Sequence, residues 1–154
     1  INNSNLHLPM NSYSHRRSNI DDCRIIDLKT VYHDNGRLSV MENLATAPFG
    51  IKRVYYLYDL PAGAERGGHS HIDTLELVIP LAGSFDVVVD DGHSVRRVSL
   101  NNPSKGLLLP AGIWRTLDNF SSGSICLVLA SAKYDEADYI RDYHEFKKLT
   151  AEKE

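Results

Sequence analysis

His69, His71 and Glu76 are the residues of this chain whose types and spacing could do chemistry. They fall within residues 63–83, which read G-x5-H-x-H-x4-E-x6-G. An imidazole titrates near neutrality, so such a group can ligate a metal or move protons. Two histidines one residue apart on a strand project to the same face, and Gly63 and Gly83 suit tight flanking turns. Without a metal the pair is either a hydrogen-bonded interior pair or an acid–base pair suited to abstracting a proton beside a carbonyl. Arg53, Tyr55 and Leu57 share one strand face by period two, and Arg66 precedes the pair by three residues. Two arginines opening on one pocket would hold a diphosphate bidentately; spacing alone leaves solvated surface arginines equally open.

The elements that must position these groups are short and mostly extended. Strands are expected at residues 24–28, 37–42, 51–58, 75–81, 84–89, 95–100, 106–109 and 124–131. Asp34-Asn35-Gly36 and Asp90-Asp91-Gly92 supply hairpin turns, and Pro110-Ala111-Gly112 another break. Strands this short and evenly spaced indicate an all-β sandwich or barrel. Residues 135–150 carry Tyr139, Ile140, Tyr143, Phe146 and Leu149 at helical spacing. Asp135 and Glu136 near the start and Lys147 and Lys148 near the end suit a helix dipole. One C-terminal helix is expected there, its aromatic stripe serving core or dimer contacts.

The chain has 154 residues, 42% hydrophobic and 24% charged, the balance of one globular domain. Residues 1–20, rich in Asn, Ser and His, read as a flexible arm, and 21–154 as the domain. A net charge of −3 argues against nucleic acid held by a general positive field. No apolar run approaches the ~20 residues that span a bilayer, and no charged-then-apolar leader opens the sequence, so a cytoplasmic location away from membranes is expected. Cys23 and Cys126 form no C-x-x-C and are expected reduced, with Cys126 buried in a strand.

The spacing across residues 63–83 matches the first motif of the cupin superfamily at every position. The second motif, P-x-G-x2-H-x3-N, is met by Pro110, Gly112 and Asn119, but Arg115 stands in place of its histidine. In metal-binding cupins that histidine completes a site with two His and a Glu. A guanidinium offers no lone pair and adds a fixed positive charge, so no metal and no other cofactor is expected. The segments 51–56 (IKRVYY), 66–71 (RGGHSH), 90–92 (DDG), 120–122 (FSS), 129–131 (LAS) and 134–141 (YDEADYIR) further resemble the dTDP-4-keto-6-deoxyglucose 3,4-ketoisomerases, in order, from about residue 24 to 148.

The resemblance implies a cupin double-stranded β-helix, a jelly-roll barrel with a short C-terminal helix. It also implies a metal-free cytoplasmic enzyme, a homodimer with exchanged N-terminal strands, acting on a dTDP-linked 4-keto-6-deoxyhexose. The product would feed a transaminase making a 3-amino-3,6-dideoxy sugar for surface polysaccharide. It further implies catalytic roles for His69 and His71 with Tyr55 beside them, and substrate binding by Arg53, Arg66, Arg115 and Asn119. At about 7 Å along the strand the two histidines cannot meet one sugar ring equivalently. His71, one step further in from Gly67-Gly68, is expected to be the base. Leu77 and the Asn35-Gly36-Arg37 turn depart from relatives, which leaves the gluco or galacto product open. A nucleotide-sugar 3,5-epimerase, a non-catalytic sugar-binding cupin and a metal-dependent dioxygenase are the rival readings, Arg115 weighing against the last.

Overall fold

A computed structural model describes residues 18–152; most of the N-terminal arm, 1–20, lies outside them. The strands are β1 (Arg24–Asp27), β2 (Lys29–His33), β3 (Gly36–Val40), β4 (Arg53–Leu57), β5 (Arg66–His71), β6 (Glu76–Ala82), β7 (Phe85–Asp90), β8 (Val95–Leu100), β9 (Lys105–Leu109), β10 (Trp114–Asp118), β11 (Ile125–Ala130) and β12 (Tyr139–Ile140), followed by α1 (Tyr143–Ala151). Two five-stranded sheets, β1-β9-β6-β11-β4 and β12-β5-β10-β7-β8, are antiparallel throughout. Val78, Leu107, Leu109, Cys126 and Val128 from the first meet Phe85, Val87, Val89, Leu100 and Leu117 from the second in one core. The sheets therefore face each other as the expected jelly-roll barrel.

Burial explains the sequence texture of the first sheet. Alternate residues of the same strands, Leu77, Ile79, Leu108 and Leu129, pack on its other face against Leu28 and Phe49. A sheet covered on both faces needs a continuous apolar run, and Leu77-Val78-Ile79 supplies one. Both cysteines are free and buried, and burial pushes each thiol up to about 12, which leaves them unreactive. Among the described residues no helix is long and apolar enough to cross a membrane.

Two appendages leave the barrel. β2 and β3 pair only with each other, and their residues are almost all exposed. The second corrects the sequence expectation, because the helix expected over 135–150 begins only at Tyr143. Glu136–Asp138 is a single 3-10 turn capped by Asp135, whose side chain accepts from the Ala137 amide. Tyr139 and Ile140 then pair with His71 and Ser70 as a strand. Asp142 restarts the chain as a helix cap, accepting from the Glu145 amide at 2.8 Å. A sheet edge with free hydrogen-bonding groups outcompeted helical periodicity.

Candidate active site

The site is built on an irregularity in β5. Gly67 and Gly68 have φ of 86° and 64°, in the left-handed region open to glycine. The register against β10 runs Arg115↔His69, Thr116↔Gly67 and Leu117↔Arg66, so Gly68 is the extra residue of a β-bulge. A Cβ on Gly67 would come within 3.0 Å of the Arg115 carbonyl oxygen. Two glycines thus let the strand bend while keeping Arg66 and His69 on one wall. That wall closes a cavity of about 340 Å³, which Arg53, Tyr55, Arg66, His69, Glu76, Arg115, Tyr134, Tyr139 and Arg141 help to line.

Glu76 is the hub of the cavity floor. Its carboxylate accepts from the Tyr55 hydroxyl and from Arg115 Nη1, and His71 Nε2 lies 3.2 Å from Oε1. Burial alone would raise this carboxyl, but His71, Arg115 and Tyr55 together hold it down at about 2, so it stays ionised. Burial pushes the Tyr55 phenol up, reinforced by Glu76, and it remains a neutral donor. Arg115 is only 1% exposed, and its Nε and Nη2 have no partner among the described residues. Arg115 nevertheless helps to line the cavity, so its fixed positive charge stands beside whatever the cavity holds.

The two histidines stack against each other instead of standing apart. Their rings meet edge to face with centroids 4.8 Å apart, and the two Nε2 atoms are 3.2 Å apart. The 7 Å strand spacing separates their backbones; the side chains lean together. His71 is wholly buried behind His69 and is not part of the cavity wall. His71 was expected to be the base; of the two rings, His69 is the one that faces the cavity. Burial, then the charge of Arg115 and the neighbouring His71, lowers His69 to about 4. At neutral pH it is an uncharged imidazole, able to take a proton.

His69, His71 and Glu76 place their donor atoms within 4.8 Å of one another, the usual cupin metal set. They do not fit a divalent metal here. The Arg115 guanidinium is bound directly to the carboxylate that would ligate it, so a cation would meet a fixed positive charge.

Arg53, Tyr55, Arg66, His69 and Arg115 converge as expected. Asn119 does not: it ends β10 with φ of 54° and donates to Asp86, away from the cavity wall. The sequence reading missed the contribution of the C-terminal segment. The Tyr139 ring packs 5.0 Å from His69 and 4.4 Å from His71, and the Arg141 guanidinium lies 4.2 Å over it. Arg141 is held by Glu136, which also accepts from Tyr134. The run 134–141 was visible as a distinctive segment, yet its helical spacing hid where it goes.

Fold and site together define a cupin-type barrel with an ion-paired cluster of His71, Glu76 and Arg115 beside its cavity. The family model described as "FdtA: WxcM-like, C-terminal" matches residues 21–151. A TDP-4-oxo-6-deoxy-alpha-D-glucose-3,4-oxoisomerase of Aneurinibacillus thermoaerophilus is 38% identical over 128 residues, covering 83% of this chain and 92% of that protein. The crystal structure of a 3,4-ketoisomerase from Helicobacter canadensis matches at 39% identity and a TM-score of 0.82, over 84% of this chain and 98% of the other. The sugar 3,4-ketoisomerase QdtA from Thermoanaerobacterium thermosaccharolyticum, solved with TDP, matches at 34% identity and a TM-score of 0.84, over 87% and 98%. This chain belongs to that FdtA-like family of nucleotide-sugar 3,4-ketoisomerases. A dTDP-4-dehydrorhamnose 3,5-epimerase, at 18% identity, shares the fold alone.

Proposed function

We propose that this chain moves the keto group of a TDP-linked 4-keto-6-deoxyhexose from carbon 4 to carbon 3, without a metal or other cofactor. The observation that carries it is an uncharged His69 on the cavity wall beside the fixed positive charge of Arg115. The carbon 4 ketone acidifies the carbon 3 proton, and His69 removes it. The carbon 4 oxygen, now an enolate, is stabilised by Arg115 and protonated to give a cis-enediol. Loss of the proton on the carbon 3 oxygen and delivery of a proton to carbon 4 leave the 3-keto sugar. Each carbon and each oxygen has exchanged one proton, and no redox partner is needed. Acid–base assistance of this kind contributes about 10²–10⁴-fold.

Arg53 and Arg66 hold the diphosphate. Both line the cavity, and the buried Arg53 Nε has no partner among the described residues. The enzyme works in the cytoplasm, where two unpaired cysteines stay reduced. There its product supplies a transaminase making an amino sugar for surface polysaccharide. It acts as a homodimer that exchanges N-terminal strands. Supporting this, β2–β3 pairs with neither sheet, and β4 is an open sheet edge whose outer face exposes Val54, Tyr56 and Tyr58 beside Leu81 and Leu127.

Incubation with dTDP-4-keto-6-deoxyglucose in deuterated buffer containing a chelator tests the activity. Proton NMR should show the carbonyl at carbon 3 and solvent deuterium at carbon 4. Deuterium at carbons 3 and 5 with the carbonyl unmoved would mean epimerisation, and tight binding with no exchange would mean a sugar-binding protein. Turnover that stops on chelation and returns with added metal would overturn the metal-free reading.

A further inference from the structure

Side chains join the two sheet edges that flank the cavity. Arg53 stands on β4, the edge of the first sheet, and Arg141 follows β12, the edge of the second; both line the cavity. Two rings run between them. The Arg53 guanidinium lies 5.6 Å over Tyr134, Tyr134 lies 5.6 Å from Tyr139, and the Arg141 guanidinium lies 4.2 Å over Tyr139. Glu136 ties this row together from outside the cavity wall. Its carboxylate accepts from Arg141 Nε and Nη2, at 2.6 and 3.0 Å, and from the Tyr134 hydroxyl. The backbone around it is fixed on both sides, by the Asp135 cap of the 3-10 turn and by the pairing of Tyr139 and Ile140 with β5.

Glu136 and Arg141 are 57% and 51% exposed, and an ion pair so open to water adds little to stability. What it supplies is geometry. A planar guanidinium gripped at two points by a carboxylate and laid over a ring has lost most of its freedom before a ligand arrives. A cation already ordered gives up less entropy when it takes up an anion. We propose that Glu136 is a positioning residue for diphosphate binding: it holds Arg141 at the cavity and, through Tyr134, steadies Arg53, so that the two guanidiniums meet a nucleoside diphosphate from opposite sheet edges. Arg66 stands on the β5 wall as the third cation. This rests on the reading of the cavity as a TDP-sugar site. A carboxylate near an anion site weakens binding by its charge, so position and charge predict opposite results when it is removed.

Glu136→Ala in the full chain reads that sign. On charge alone the variant would bind TDP more tightly. Lost positioning should instead weaken TDP binding about 3–10-fold by calorimetry, the cost of ordering a long side chain on binding. Thymidine, which carries no phosphate, should bind the variant as it binds the wild type. KM for the TDP-sugar should rise while kcat holds. Glu136→Gln keeps an acceptor for Tyr134 and Arg141 without the charge, so it should fall between the wild type and the Ala variant; it also serves if the Ala variant does not fold. Arg141→Ala should weaken TDP binding more than Glu136→Ala does. In a chain that already carries Arg141→Ala, Glu136→Ala should cost less than it does alone. TDP affinity that is unchanged or tighter in Glu136→Ala, or an equal loss for thymidine, would overturn the proposal. So would fully additive losses in the double variant. A wild-type chain that does not bind TDP removes the TDP-sugar reading and this proposal together. One that binds TDP while Glu136→Ala makes no difference removes only the role of Glu136.

Discussion

The two appendages of the barrel serve opposite ends. Both the hairpin β2–β3 and the C-terminal segment 134–151 carry charges of each sign, but the segment has four aromatic residues and the hairpin only Tyr32. The C-terminal segment turns its side chains inward: Tyr139 packs on both histidines, Asp138 binds His71, and Phe146 is buried against Trp114. The hairpin turns outward. Tyr32 and Leu38 are 64% and 56% exposed, and the Arg37 guanidinium stacks on Tyr32 for want of a barrel partner. Backbone pairing makes the difference. β12 satisfies its amides on an edge of the second sheet, whereas β2 and β3 satisfy only each other. The chain completes the floor of its cavity by itself, and it leaves apolar side chains such as Val54, Tyr56 and Leu38 exposed on its outer surfaces.

The largest expected effect breaks the inward-facing side. His69→Asn keeps much of the shape of the ring and removes its titrating nitrogen. Turnover should fall by about 10²–10⁴-fold with TDP affinity and dimer dissociation unchanged. Single-turnover NMR and calorimetry give the two numbers. Near-normal turnover would mean that the histidines are structural and that the base lies elsewhere on the wall.

A smaller effect breaks the outward-facing side. Tyr56 is 60% exposed on β4 and stacks on Tyr58 at 5.6 Å, beside the open sheet edge. Aromatic anchors of this kind carry much of the energy of an interface. Tyr56→Asp should weaken self-association by about 2 kcal/mol, roughly 30-fold in the dissociation constant. Sedimentation equilibrium would show it. A wild-type chain that is monomeric at micromolar concentration, or a Tyr56→Asp chain that associates equally well, removes the contrast between the two appendages.

The same contrast explains what was legible in the sequence. The barrel strands showed because their apolar residues face a core on a fixed period, as in Val87 and Val89. Arg53 and Tyr55 could be placed on one strand face by alternation, and His69 and Arg115 by motif spacing, while spacing left it open whether Arg53 and Arg66 meet a ligand. The partnership of Asp138 with His71 spans 67 residues, and no local pattern encodes it. Tyr139 misled for a physical reason. Its spacing to Tyr143 and Phe146 is helical, but pairing with β5 fixed it as a strand. Asn119 holds its place in the motif, yet its left-handed backbone and its bond to Asp86 keep it off the cavity wall. That Arg66 joins His69 on the cavity wall, although three residues separate them, depends on the Gly68 bulge, and a count by twos cannot see an extra residue.

The smallest expected effect tests how the inward-facing segment is anchored. α1 has nine residues, too few to be stable alone, so it depends on packing and on its cap. Packing comes from Phe146 and Tyr143 against Trp114, with ring centroids at 5.6 and 5.3 Å. The cap is Asp142, which takes up the Glu145 amide and places a negative charge at the positive end of the helix. Asp142→Ala removes both and should cost about 1 kcal/mol. For a chain of this length that is a fall of roughly 2–4 °C in Tm, readable by calorimetry. Asp142 touches neither histidine, and Tyr139 and Ile140 keep their pairing with β5. Turnover per folded molecule should therefore hold. If it fell with the melting temperature, the helix would be holding Asp138 and Tyr139 in place, and the strand pairing alone would not be enough to keep the histidine pair in register.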